Sequence, residues 1–227
     1  MARPPHVPRR DEVPADEREH YDAISQAGSN LPVVTRNGEP ALPVDTSGRD
    51  YYSRMLVSPE AARAIRMLGG ALRKSEFTPG SGSFSPADHE LIDLVLSFDA
   101  GYWGLLRIHL PAAVAAGVRI DTIEALRTKR DSGLDDDTAF AVQFIREVCS
   151  GTLTDDSWDR MEHRLGSERG VLDYAMLVCL LQLHLRLHQV LKVDPLSEEE
   201  YSSVLDTLRS GRIERSADEL HRLISNR

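Results

Sequence analysis

Cysteine is nearly absent from this 227-residue chain: Cys149 and Cys179 stand 30 residues apart, and neither belongs to a Cys-x-x-Cys. Two such thiols argue against a structural disulfide in a reducing compartment. The plain reading is two buried thiols acting as small hydrophobes. Positive charge is also in short supply. Lys and Arg number 27 against 36 Asp and Glu, giving a formal net charge of −9 and a pI near 5.4. With no dense Lys/Arg stripe to reverse it locally, that balance repels phosphate backbones and anionic lipid heads, so neither nucleic acid nor a membrane surface is an expected partner. A long apolar run free of polar residues is missing too. The most apolar stretch, Val171 to Leu191, is interrupted by Asp173, Gln182, His184, Arg186 and His188, the pattern of a buried helix rather than a membrane span. The N-terminus, MARPPHVPRRDEVPADE, lacks the apolar segment of a secretory signal, so a cytoplasmic protein is expected. No Gly-x-Gly-x-x-Gly, Gly-x-x-x-x-Gly-Lys or Gly-x-Ser-x-Gly occurs, which leaves nucleotide binding by those routes and serine-hydrolase chemistry unsupported. Nor does any alternating apolar/polar run exceed four residues.

What remains is helical pattern. Hydrophobic residues make up 41% and charged residues 28%, the proportions of a globular protein that buries one core. Residues 1–54 read as an arm: a Pro/Arg-rich start, a short helix near 15–27, then a Pro- and Gly-punctuated irregular stretch from Leu31 to about Ser53. That stretch carries Leu31, Val33, Val34, Leu42 and Tyr51, apolar groups that need cover. Residues 55–227 read as one helical domain. Ser58-Pro59-Glu60 opens a helix to about Lys74, and Ser85-Pro86-Ala87-Asp88 opens another with a capping box. Leu91, Leu94, Val95 and Phe98 give the second helix its apolar stripe, and Gly101 ends it. A further helix is expected at 102–116, stopped by Gly117, and others at 119–128, 135–150, 154–165, 168–191, 197–209 and 215–225. The class is all-α.

Glu90 and His109 are the candidates for chemistry. A carboxylate and an imidazole 19 residues apart, on consecutive helices, can meet in an apolar pocket as a proton relay, and a carboxylate raises the basicity of a buried imidazole. Tyr102 offers a phenol that can donate to an oxyanion, while Trp103, Leu105 and His184 are candidates to wall a small substrate. His184 and His188, at i and i+4, share a helix face. Two ligands without a His-Glu-x-x-His do not make a metal site, so no metal or cofactor is expected. His89 and Asp93, also at i and i+4, read as an exposed surface pair. Arg107 lies about 200° round the helix from His109, facing elsewhere toward an acidic partner. The runs Asp135-Asp136-Asp137 and Asp155-Asp156 read as carboxylates at helix starts.

The stretch SPADHELIDLVLSFDAGYWGLLRIHLPAAVAAG resembles the core of the carboxymuconolactone decarboxylase and AhpD-like alkylhydroperoxidase superfamily. In that superfamily a Glu-bearing helix is followed by His-x-Pro-x-Ala-x-x-Ala-Gly, positions held here by His109, Pro111, Ala113, Ala116 and Gly117. The peroxidase branch places cysteines seven and four residues before the His; Tyr102 and Leu105 stand there. Decarboxylase-type members often carry Glu-Trp four and three before it; this chain has Leu105 and Leu106. Over about residues 55–193 the resemblance implies an all-α AhpD-like fold and a homo-oligomer, a trimer or hexamer. It also implies a cofactor-independent, lyase-type enzyme acting on a small organic acid, lactone or carbonyl compound, with Glu90, His109 and Tyr102 in the catalytic roles. The alternative is a noncatalytic ligand-binding or assembly protein of the same fold, and alkylhydroperoxidase-like antioxidant activity is disfavoured because both cysteines are missing.

Overall fold

The computed structural model describes residues 4, 6–25, 34–36, 39–40, 47–73 and 84–213. Its helices are α1 (Arg18–Ser25), α2 (Ser47–Met55), α3 (Pro59–Arg73), α4 (Pro86–Ala100), α5 (Leu106–Ala115), α6 (Ile120–Arg127), α7 (Asp136–Ser150), α8 (Asp155–Leu165), α9 (Glu168–Leu191) and α10 (Glu198–Ser210). The expected helix at 215–225 lies outside the described residues. Three short antiparallel strands, β1 (Val34–Arg36), β2 (Glu39–Pro40) and β3 (Arg212–Ile213), run in the order β2-β1-β3. They pair Val34 with Ile213 and Thr35 with Arg212, so a piece of the N-terminal arm is tied to the chain just after α10. The class is all-α.

Helix α4 is the centre of the bundle. Its residues 91 through 98 are all buried, apolar ones and Asp93 and Ser97 alike, so no single stripe describes it: α5, α6, α7 and α9 cover it from several sides. Ile92, Leu94, Leu106, Leu110 and Phe144 are fully enclosed in this core, each burial contributing about 1.5–3 kcal/mol. A second, smaller cluster of Ile24, Leu56 and Ala62 fastens α1 and the end of α2 onto α3. By length and composition alone α9 is long and apolar enough to cross a bilayer. Within the fold it is a core helix against α2, α3, α4, α7 and α8, with Leu172, Met176, Leu183 and Val190 exposed along its outer side.

Several local expectations change. The arm is not irregular to Ser53, because α2 begins at Ser47; Asp50 and Arg54 pair one turn apart at 2.7 Å, and Tyr51 is buried. Leu31, Val33 and Leu42 lie outside the described residues. Helix α5 starts at Leu106 rather than at 102. Gly101 takes a left-handed turn (φ 60°), and the Tyr102 ring then folds over Gly104 so closely that a Cβ there would stand 2.5 Å from it. Cys149 is half-buried as expected of a small hydrophobe, but Cys179 is exposed, because it falls on the outer side of α9.

Candidate functional site

Two local devices aim α4 at the site. The Ser85 hydroxyl accepts the Asp88 N–H at 3.2 Å, and the Asp88 carboxylate accepts the Ser85 N–H at 2.8 Å, closing a capping box. Arg164 of α8 donates to the other Asp88 oxygen at 2.6 Å, pinning this end of the helix to the bundle. Glu90 and Asp93, three residues apart, therefore share the face that α5 covers. Helix α5 supplies His109, and Pro111 just beyond it removes the N–H that would bond to the Arg107 carbonyl. Arg107 itself turns away and pairs with Glu200 at 3.2 Å.

The side chains converge on the imidazole. His109 Nδ1 lies 2.8 Å from Glu90 Oε2 and 3.1 Å from Asp93 Oδ2. His89 Nε2 stands 3.5 Å from the same Oδ2. His89 and Asp93 are thus not the surface pair their spacing suggested. Both are buried, because the α4 face that carries them is covered by neighbouring helices. Asp93 keeps 1% of its side-chain surface, whereas Glu90 keeps 12% and His109 18%, so the cluster is closed behind and open at its front edge.

Burial alone would lower the His109 pKa. The Asp93 and Glu90 charges and the Glu90 hydrogen bond outweigh it and push the imidazole up to about 9. The two carboxylates thus favour the imidazolium, an acid. Burial likewise presses the Glu90 carboxyl upward, yet the His109 charge and hydrogen bond, helped by His89 and Arg73, leave it below the ordinary carboxylate value. For Asp93 burial prevails, and its pKa is raised despite His109 and His89. Neither Asp93 oxygen accepts a hydrogen bond within the described residues. Glu90, Asp93 and His109 each offer a ligand atom, all within 4.8 Å of one another, and are the described residues placed to hold a metal ion.

A histidine wall stands nearby on α9. His184 Nδ1 shares a 3.0 Å hydrogen bond with the Tyr51 hydroxyl, and His188 stacks on the Tyr51 ring with centroids 3.9 Å apart. Burial foremost, then the positive fields of His188, Arg73, His109 and His89, drives the His184 pKa down to about 3. Burial also takes His188 to about 4. Both are neutral rings close enough to feel the His109 charge. Tyr51 was read only as an apolar group needing cover; a Tyr in a Pro-rich arm gives no signal of a contact with α9.

The remaining candidates stand elsewhere. Tyr102 donates its single hydroxyl proton to the Val193 carbonyl, so it has none for an oxyanion; burial raises its pKa to about 12. Trp103 packs edge-on against Phe98 and leans on Tyr201, and Leu105 is buried in the core with no face for a substrate. A surface groove lined by Gln143, Arg146, Glu147, Ser150 and Thr152 on and after α7 includes none of the candidates.

No protein-family model and no curated protein matches this chain. Among solved structures it is similar to the crystal structure of an alkylhydroperoxidase AhpD core, an uncharacterized peroxidase-related protein from Ralstonia eutropha JMP134. The two share 13% identity with a TM-score of 0.59, over 86% of this chain and 93% of that one. The helices that carry Glu90, Asp93 and His109 therefore belong to an AhpD-like all-α fold.

Proposed function

We propose that this chain transfers protons to and from carbon in a small organic acid, lactone or other carbonyl compound, in the manner of a carboxymuconolactone decarboxylase. The observation that carries this reading is the 2.8 Å contact between Glu90 Oε2 and His109 Nδ1 at the open edge of an otherwise buried cluster. Glu90 takes the Nδ1 proton as a hydrogen bond and fixes the tautomer, which leaves Nε2 as the working atom. The imidazolium delivers its Nε2 proton to the substrate carbon beside the carbonyl and recovers one in the reverse direction. No cofactor enters this step. Asp93 behind the ring adds negative charge that favours the imidazolium. The neutral rings of His184 and His188 supply an uncharged polar wall.

A panel of lactones and β-keto acids, assayed with wild type, His109→Ala and Glu90→Gln, tests the reading. Turnover should fall about 10²-fold or more in His109→Ala and less in Glu90→Gln, which keeps the shape and loses the charge. Full activity in His109→Ala would end it. One observation favours the noncatalytic alternative: the Tyr102 hydroxyl is tied to Val193 and leaves no phenol for an oxyanion. That alternative expects affinity without turnover. The exposed stripe of Leu172, Met176, Leu183 and Val190 on α9 supports self-association into a homo-oligomer.

A further inference from the structure

We propose that Glu90, Asp93 and His109 form a binding site for a divalent transition cation of the Mn²⁺ to Zn²⁺ row. Asp93 is the reason. Its carboxylate is fully enclosed, and neither oxygen accepts a hydrogen bond within the described residues. The one positive charge beside it, the His109 ring, is shared with Glu90, so a bound cation would satisfy what that ring leaves over. Charge counting sharpens the point. His109 Nδ1 has one proton, and it points at Glu90 Oε2 2.8 Å away; Asp93 Oδ2 lies 3.1 Å from the same nitrogen and receives none. Two buried carboxylates share one donor, so one of them is left over.

The geometry suits a small cation. Ligand atoms each about 2.1 Å from an ion stand about 3.0–3.4 Å from one another in octahedral or tetrahedral arrangement. The nitrogen is already 2.8 Å and 3.1 Å from the two oxygens, and a single set of one nitrogen and two carboxylate oxygens lies within 4.8 Å. One imidazole with two carboxylates favours Mn²⁺, Fe²⁺ or Zn²⁺ over Ca²⁺ and Mg²⁺, which prefer oxygen alone, and over Cu⁺, which prefers sulfur. His89, with Nε2 3.5 Å from Asp93 Oδ2, stands where an outer group would orient that carboxylate. The partly exposed edges of Glu90 and His109 give an ion its way in and leave room for water as a further ligand. Arg73, at the end of α3, adds a positive field that opposes binding; its Nε is turned back to the Gly69 carbonyl at 3.3 Å.

This inference does not rest on the proton-transfer reading, though it bears on it: Nδ1 cannot hold a metal and the relay proton at once, so the two states exclude each other. The test is calorimetric titration of ZnCl₂, and separately MnCl₂, into EDTA-treated, re-dialysed full-length protein. One ion per chain should bind with a micromolar or lower Kd for at least one of the two metals, while MgCl₂ gives no comparable heat. Asp93→Asn and Glu90→Gln should each weaken binding on the order of tenfold or more, since losing a ligand costs at least what losing its outer partner does. His109→Ala should abolish it, and Asp136→Asn, in the first turn of α7, should leave it unchanged. Circular dichroism confirms that each variant is folded, and the carboxylate variants stand in for each other if one is not. Absence of saturable one-to-one binding by wild type, or wild-type affinity in both Asp93→Asn and Glu90→Gln, overturns the proposal. Neither result depends on turnover, so the metal site and the relay stand or fall separately.

Discussion

The hydroxyl of Tyr51 lies 3.0 Å from Nδ1 of His184, a hydrogen bond between α2 and α9 across 133 residues of chain. The same ring lies nearly parallel to His188, 13° between planes, so one aromatic from the arm covers both histidines of α9. Tyr51→Phe keeps the stack and removes only the hydroxyl, which should cost about 1 kcal/mol. Tyr51→Ala removes both and opens a cavity, for a loss of about 3–5 kcal/mol. Urea unfolding curves measure each; a Tyr51→Ala midpoint equal to wild type would mean that α2 does not hold onto α9 in solution.

The same two histidines make stability fall in acid. Their folded pKa values, about 3 for His184 and about 4 for His188, lie below the ordinary unfolded value, which is about 6.5. A depressed folded pKa means that the unfolded chain binds more protons as pH drops. The stabilisation from the neutral rings is therefore complete above about pH 6.5 and is lost as pH falls toward the folded values, at about 1.4 kcal/mol per pH unit for each ring. Replacing His188 by Gln should make the slope of unfolding free energy between about pH 6 and pH 4 shallower by about one proton. Parallel pH profiles for the two proteins would contradict this.

Gly104 sits under the Tyr102 ring with no room for a side chain. Gly104→Ala should cost about 1–3 kcal/mol by overpacking. In a Tyr102→Ala background the obstruction is gone, so the same change should cost little. A double-mutant cycle by denaturation reads the coupling directly, and strict additivity would show that the ring moves aside freely.

Cysteine-dependent peroxide reduction should be absent. Tyr102 and Leu105 occupy the two positions where the peroxidase branch has cysteines. Burial, reinforced by Cys179 and Asp99, also raises the Cys149 pKa to about 11, which keeps it a thiol rather than the nucleophilic thiolate. Peroxidase activity that vanishes in Cys149→Ser or Cys179→Ser would locate a redox centre that neither the motif nor the geometry reveals.

The helix boundaries that were legible are those with local chemistry to announce them. Ser85 with Asp88, Thr154, and Ser197 with Glu200 each cap a helix through contacts spanning three residues, which sequence displays directly. The convergence of Glu90 and His109 was legible through their spacing in a resembling motif. Asp93 was not, because i and i+4 spacing says that His89 and Asp93 share a face without saying that neighbouring helices will cover it. Tyr51 escaped for the same reason at longer range. The start of α5 was misplaced because apolar periodicity runs on through Tyr102 and Trp103, while the close approach of Tyr102 to Gly104 is a tertiary fact.

Proton transfer at His109 can be read without knowing the physiological product. Lactones and β-keto acids are incubated with metal-free protein in deuterated water, and exchange at the carbon beside the carbonyl is followed by mass spectrometry. Wild type should exchange at least one of these substrates about 10²-fold faster than His109→Ala, with Glu90→Gln between the two. Exchange by His109→Ala at the wild-type rate would contradict the relay at its working atom.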